Sequence, residues 1–193
     1  MQIIFFNFAV AILIFSFMNS QERKLFLQKL QNDSDSQLPG LLHYYRENGD
    51  AVLLPNVLEL LVSTRSQEVK NVVYDIISSL KTSETAIMAF DFMSKVQDLG
   101  IKKSVISSLW LSGMDFTEKA EEIVNMLLSF SDFEIVFDIL TLLENCTQNL
   151  DKETASMLFE RVLEKKKTAQ EHLLGIYQAA EEYLKTLEQR PLF

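Results

Sequence analysis

The stretch QEVKNVVYDIISSL, residues 67–80, decides the fold of this 193-residue chain. Its apolar residues recur every three or four positions, with polar residues between them. On a helix this spacing gathers the apolar side chains into one stripe and leaves the opposite side to solvent. The stretch therefore predicts an amphipathic helix, capped by Ser66 and packed on one side. The stripe consists of Val69, Val72, Val73, Ile76, Ile77 and Leu80.

Parts of this helix recur along the chain. VVYDII at residues 72–77 is matched by IVFDIL at residues 135–140, which lie 63 positions later. IISSL at residues 76–80 is matched by VISSL at residues 105–109, which lie 29 positions later. A period of roughly 29–34 residues that holds two helices is typical of an α-solenoid, in which each hairpin buries its apolar face against the next. The repeats predict stacked antiparallel helix hairpins.

The rest of the chain from residue 20 onward also predicts helices, joined by short polar turns. Pro39 and Pro55 fall near the starts of helices predicted at 38–48 and 50–64, and Gly113 closes a helix predicted at 101–111. Asp115, Ser131 and Thr168 each lie three residues before a glutamate, and this capping-box spacing predicts further helix starts near 116, 132 and 169. No stretch alternates with a period of two, so we predict an all-α fold, specifically a right-handed α-solenoid.

Composition limits the classes of function. The formal charge of −9 repels a phosphate backbone, which argues against a nucleic-acid partner. The single cysteine, Cys146, cannot form an internal disulfide, so nothing calls for an oxidising compartment. We therefore predict a cytoplasmic protein.

Two segments resemble HEAT repeats. Residues 52–80, VLLPNVLELLVSTRSQEVKNVVYDIISSL, have a leucine-rich first helix with an early proline, a short polar turn, and a second helix that opens on an acidic residue and valine. Residues 120–145, AEEIVNMLLSFSDFEIVFDILTLLEN, repeat the pattern without the proline. SSLWLSGMDF at 107–116, followed by FSDFEIVFDILTLLEN at 130–145, also resembles a group of small bacterial HEAT-like proteins. The resemblance covers roughly residues 38–146 and implies a curved scaffold that binds proteins or peptides on a concave face lined by second helices.

The chain shows no arrangement of residues typical of catalysis. His43 and His172 are far apart, and each lacks a second ligand at helical spacing. Cys146 has no basic neighbour in sequence that would lower its pKa. We therefore predict no catalytic, cofactor-binding or metal-binding residues, and a protein that is not an enzyme.

The candidate partner-binding face consists of residues that lie off the apolar stripes of the predicted second helices. Aromatic side chains at such positions are typical anchors at protein interfaces, although Trp110 and Phe137 could instead pack between repeats. The predicted face comprises Lys70, Asn71, Tyr74, Asp75, Lys103, Ser107, Trp110, Phe137, Asp138 and Thr141.

The leading hypothesis is a monomeric, non-enzymatic scaffold that binds a protein or peptide. Two alternatives stay open. One is a membrane-tethered scaffold, and the other is a DNA-repair glycosylase of the HEAT-like type. The glycosylase would need a cationic groove, which only Lys70, Lys102 and Lys103 could supply.

Residues 1–18 form an apolar segment ahead of a predicted single domain at 19–193. Ile3 to Met18 carry no charge, yet the run is short for a membrane span and has no positive residue before it. Met18 is itself a possible translation start, and the other interpretations are a signal, an anchor or a buried capping helix. A retained anchor would place the protein at the inner membrane, and a true signal would export it.

Overall fold

The computed structural model describes residues 18–190, and within that range it contains α-helices, 3-10 helices and connecting turns but no strand. The prediction of an all-α fold is confirmed there. Four short 3-10 helices lie at Ala51–Leu53, Glu59–Val62, Thr117–Lys119 and Glu171–Leu173. The α-helices are α1 (Ser20–Asn32), α2 (Leu38–Asn48), α3 (Leu54–Leu58), α4 (Gln67–Ser78), α5 (Ser83–Lys95), α6 (Leu99–Leu111), α7 (Ala120–Ser129), α8 (Phe133–Cys146), α9 (Lys152–Lys166) and α10 (Leu174–Glu188).

The described chain forms two compact units. Their boundary falls within α4, between Val72 and Val73. The first unit holds α1 to α3 and the first half of α4, and the second holds the remainder of α4 and α5 to α10.

The first unit is built around contacts between α1 and α2. The rings of Phe26 and Tyr45 lie 5.4 Å apart, and both side chains are buried. The Tyr45 hydroxyl donates a hydrogen bond to the Asp50 carbonyl oxygen at 3.0 Å, so the buried phenol is satisfied. Burial raises the pKa of Tyr45, and the nearby Asp50 carboxylate adds to the rise. The carboxylate also pairs with Arg23 at 2.8 Å.

Arg65 ties the C-terminus of α1 to the turn before α4. Its guanidinium donates to the carbonyl oxygens of Leu30, Gln31 and Asp33 at 3.0–3.3 Å. It also pairs with the Asp35 carboxylate at 3.1 Å. The last carbonyl groups of a helix lack partners within the helix, so Arg65 supplies donors that α1 cannot provide for itself.

The helix predicted at 50–64 is interrupted. The structure has two 3-10 helices there, with α3 between them. Val57 and Leu58 are buried together with Leu60 and Leu61, each three positions later. A spacing of three matches the three residues per turn of a 3-10 helix, so the tighter winding keeps all four side chains in the core.

The second unit consists of three helix hairpins: α5 with α6, α7 with α8, and α9 with α10. Helices also pack with the next helix but one, since α6 contacts α8, α8 contacts α10, and α7 contacts α9. The apolar stripes of these helices form one buried core. It includes Phe90, Met93, Val105, Ile106, Leu109, Phe116, Ile123, Leu127, Val136, Ile139, Leu143, Leu158, Val162, Tyr177, Ala180 and Leu184.

Near the starts predicted at 116, 132 and 169, the structure begins a 3-10 helix at Thr117, α8 at Phe133 and a 3-10 helix at Glu171. α7 and α10 each follow three residues after the start of these 3-10 helices. Two of the predicted caps differ. Asp132, not Ser131, caps α8 by accepting from the Ile135 amide at 3.1 Å. Thr168 belongs to the turn after α9, where its hydroxyl donates to the Lys165 carbonyl oxygen. Gly113 adopts a φ of 63°, a conformation that glycine enters without steric cost, and so ends α6 as predicted.

Candidate functional site

The residues predicted to bind a partner lie on three helices, α4, α6 and α8. Lys70 and Asn71 belong to the part of α4 in the first unit, where Gln67 Nε2 donates to Asn71 Oδ1 at 2.8 Å. Asp75 is exposed on the part of α4 in the second unit. The remaining seven residues of the prediction also belong to the second unit.

Tyr74 is half-buried beside α6. Burial raises the pKa of its phenol, while the neighbouring Ser104 hydroxyl acts in the opposite direction. The negative charge of Asp98 also favours the neutral phenol. Tyr74 therefore takes part in packing and presents only part of its ring to solvent.

Two polar contacts join α6 to α8. The Lys103 ammonium pairs with the Glu134 carboxylate, and the Ser107 hydroxyl donates to Asp138 Oδ2 at 2.8 Å. Both pairs span 31 residues of chain, so the two helices run side by side in constant register. The hydrogen bond to Glu134 raises the pKa of Lys103, which keeps its ammonium charged.

We call the surface around these contacts the α6–α8 face; it consists of Lys103, Ser107, Trp110, Phe133, Glu134, Phe137, Asp138 and Thr141.

Trp110 and Thr141 are also 31 residues apart, and they lie one turn further along α6 and α8 than Ser107 and Asp138 do. Trp110 is half-buried, and its indole nitrogen is buried without a hydrogen-bond acceptor among residues 18–190. The Thr141 hydroxyl donates back to the Phe137 carbonyl oxygen at 2.9 Å. Much of the Trp110 ring therefore serves packing, as one interpretation of the sequence allowed.

The most exposed apolar part of the α6–α8 face is a pair of phenylalanines on α8. Phe137 is 52% exposed and Phe133 is 49% exposed. Their rings stack nearly parallel, with an interplanar angle of 13° and centroids 6.3 Å apart. Sequence reasoning selected Phe137 and missed Phe133. The spacing of four, which puts both on one side of a helix, could have identified Phe133.

The charged side chains of α8 are all acidic. Its sequence, FEIVFDILTLLENC, contains three carboxylates and no lysine, arginine or histidine. Asp132, which caps the helix, adds a fourth carboxylate. Burial raises the pKa of Glu144, and within residues 18–190 its carboxylate has no ion-pair or hydrogen-bond partner.

Two of the three lysines considered for a cationic groove, both on α6, make contacts of their own. Lys103 is paired with Glu134, and the Lys102 ammonium lies 5.6 Å from the centroid of the Phe130 ring. In the described part of the chain, no three His, Cys, Asp or Glu side chains are grouped to hold a metal ion. His43 is exposed, and exposed His172 lies with Nε2 3.2 Å from the Ser131 carbonyl oxygen.

The first unit has a concavity of its own. A groove of about 580 Å³ runs between α1 and α2, and Leu25, Phe26, Leu41 and Tyr44 supply much of its apolar surface. Leu25 is 54% exposed and Tyr44 is 50% exposed. Charged groups of both signs, Glu22, Lys29 and Asp33, also line the groove.

The membrane hypotheses rest on residues 1–18, of which only Met18 is described. Across residues 18–190, every helix is too short or too polar to cross a bilayer. The expectations for residues 1–17 lie outside the described part of the chain.

Comparison of the chain with protein-family models, with curated proteins and with solved structures finds no match in any of the three. Function must therefore be inferred from the geometry of the α6–α8 face.

Proposed function

We propose that the second unit is a short, right-handed stack of HEAT-like hairpins and that it serves as a non-enzymatic scaffold. On this proposal it binds a protein or peptide through the α6–α8 face. The observation that carries the proposal is the stacked pair Phe133 and Phe137, because two large apolar side chains stand half in solvent on one side of α8.

The packing order supports the stacked arrangement. Helices of successive hairpins form two rows. In one row α6 contacts α8, which contacts α10, and in the other α7 contacts α9. Polar pairs between successive hairpins occur at similar chain separations. The separation is 31 residues for Lys103 with Glu134, 34 for Asp115 with Asn149, and 36 for Asn125 with Arg161. Contacts at a nearly constant separation are what neighbouring copies of one unit make in a repeat protein.

The energetics of the phenylalanine pair support binding. Covering a large apolar side chain stabilises a complex by about 1.5–3 kcal/mol. Aromatic residues on a rigid surface lose little conformational freedom when a partner covers them, and they are common among the residues that dominate interface energies. The polar contacts between α6 and α8 hold the backbone of α8 in place, so the two rings are presented in a fixed arrangement.

We place this scaffold in the cytoplasm as a monomer. The single cysteine requires no oxidising compartment, and the charge of −9 disfavours a nucleic-acid partner. No observation on the described residues favours a glycosylase over a scaffold, since Lys103 is paired and Lys102 lies against Phe130.

The proposal is tested by affinity capture from an extract of the source organism. We compare the full chain with a Phe133→Ala/Phe137→Ala variant and identify the retained proteins by quantitative mass spectrometry. We expect at least one protein to be retained by the full chain and to drop about tenfold with the double variant, since a loss of about 1.4 kcal/mol corresponds to tenfold.

Met157→Ala is the matched control for this experiment. Met157 is 42% exposed on α9, which belongs to the other row of helices in the same unit. The control removes a similarly exposed apolar side chain and should leave the retained proteins unchanged. Equal recovery with the full chain and the double variant would show that the α6–α8 face does not bind a partner.

A further inference from the structure

The outward side of α8 combines apolar and acidic groups in one stripe. Successive residues of a helix are 100° apart, so Phe133, Phe137 and Glu144 fall within about 40° of one another around the axis. The stripe is about 16 Å long, at a rise of 1.5 Å per residue. It presents two exposed aromatic rings at one end and, at the other, a carboxylate that has no partner within residues 18–190.

Negative charge predominates on α8. Its three carboxylates are Glu134, Asp138 and Glu144, and the helix carries no lysine, arginine or histidine. The Lys103 ammonium pairs with Glu134 and also acts electrostatically on Asp138, which accepts a hydrogen bond from the Ser107 hydroxyl. Within residues 18–190 the Glu144 carboxylate has no such partner, so the stripe keeps a negative charge beyond the rings.

We infer that the partner bound at the α6–α8 face presents a cationic segment, with arginine or lysine side chains beside aliphatic ones. This inference rests on the proposed function and specifies the chemistry of the ligand. The aliphatic side chains cover Phe133 and Phe137, and a cationic side chain meets Glu144 at the other end of the stripe.

Arginine suits this stripe better than lysine does. Its planar guanidinium stacks on an aromatic ring and donates two parallel hydrogen bonds to a carboxylate. A segment that carries both types of group therefore gains from the rings and from the carboxylates at once. An acidic segment with the same aliphatic side chains would bring its charges against Asp138 and Glu144.

The test uses three synthetic 14-residue helical peptides and the full chain, with binding measured by titration calorimetry. The first peptide has leucine along one face and arginine beside it, with alanine and glutamine elsewhere. The second replaces each arginine with glutamate, and the third replaces each leucine with serine. We expect the leucine–arginine peptide to bind at least tenfold more tightly than either of the others.

Protein variants assign the binding to the stripe. We expect Phe137→Ala to weaken the leucine–arginine peptide about tenfold and Glu144→Gln about threefold. The matched controls on α9 are Met157→Ala and Glu160→Gln, which remove an exposed apolar group and an exposed carboxylate. Both controls should leave the affinity unchanged. Equal affinity for the arginine and glutamate peptides, or equal weakening by the control variants, overturns the inference.

Two further outcomes separate this inference from the proposed function. If affinity capture depends on Phe133 and Phe137 but the leucine–arginine peptide does not bind, the cationic partner is wrong and the scaffold proposal stands. If sedimentation shows a dimer that Phe137→Ala dissociates, a second copy of the chain occupies the stripe and the inference is overturned.

Discussion

At the scale of single residues, short polar side chains decide where the helices begin. Asp98, Asp132 and Asp151 each accept a hydrogen bond from the amide three positions later, at 2.9–3.1 Å. Spacing in the sequence located these starts to within a few residues. It selected Ser131 as the cap of α8 where the structure has Asp132, because both precede the helix and only the backbone conformation distinguishes them.

Asp35 should make the stability of the chain depend on pH in the acidic range. The backbone amide of Ser66, 2.5 Å from Oδ2, holds the pKa of Asp35 below its usual value, and the Arg65 guanidinium adds to this effect. A pKa that is lowered on folding stabilises the native state above the unfolded value near 3.8, and this contribution is lost as the pH falls through the native value.

The measurement is the urea midpoint of the full chain and of Asp35→Asn between pH 7 and pH 2.5. We expect the variant to be less stable at neutral pH and the difference to shrink below about pH 4. A difference that stays constant over the whole range would show that the ionised form of Asp35 contributes nothing.

At the scale of elements, the sequence predicted the long amphipathic helices well and the short ones poorly. The apolar stripe of α4 follows directly from apolar residues spaced three and four apart, and Val69, Val73 and Ile77 are buried as expected. The 3-10 helices around α3 depend on how the rest of the core packs against their side chains, and the local sequence does not specify that packing. The exposure of Phe133 was also missed, because whether an apolar residue is covered depends on the neighbouring helix.

Arg65 should contribute measurably to the stability of the first unit. Arg65→Ala removes three hydrogen bonds to the C-terminus of α1 and one ion pair, so we expect the free energy of unfolding to fall by about 2 kcal/mol. Urea denaturation followed by circular dichroism measures the change. Arg65→Lys keeps the charge but not the planar array of donors, and should recover only part of the loss.

Arg46→Ala is the matched control for this prediction. Arg46 pairs with its neighbour Glu47 on the surface, and the pair is largely exposed. Surface ion pairs contribute about 0–1 kcal/mol, so the control should change the stability little. Equal losses for Arg65→Ala and Arg46→Ala would contradict a special role for Arg65.

At the scale of the whole molecule, the structure has two compact units with their boundary inside α4, and the single domain at 19–193 stays a prediction. Local pattern could not reveal this boundary, because the apolar stripe of α4 runs through it without interruption. In the second unit, by contrast, the predicted pairing of consecutive helices into hairpins agrees with the observed contacts.

A variant that starts at Met18 tests the hypotheses for the N-terminal segment. We expect residues 18–190 to fold without residues 1–17, because α1 begins with a capping box of its own. There, Asn19 accepts from the Glu22 amide at 3.0 Å, and Glu22 accepts from the Asn19 amide at 2.7 Å. Circular dichroism and cell fractionation are the measurements. A full chain found in the membrane fraction beside a soluble variant would favour the tether.

Trp110 is the single tryptophan of the chain and lies on the α6–α8 face. Its ultraviolet emission can be excited apart from that of tyrosine, so the native chain carries one intrinsic optical reporter on the same face as Phe133 and Phe137. The emission of an indole whose nitrogen lacks an acceptor shifts to longer wavelength when a polar group or water reaches it. Ligands for this face can therefore be screened by the shift of the tryptophan emission maximum, without a label or a mutation.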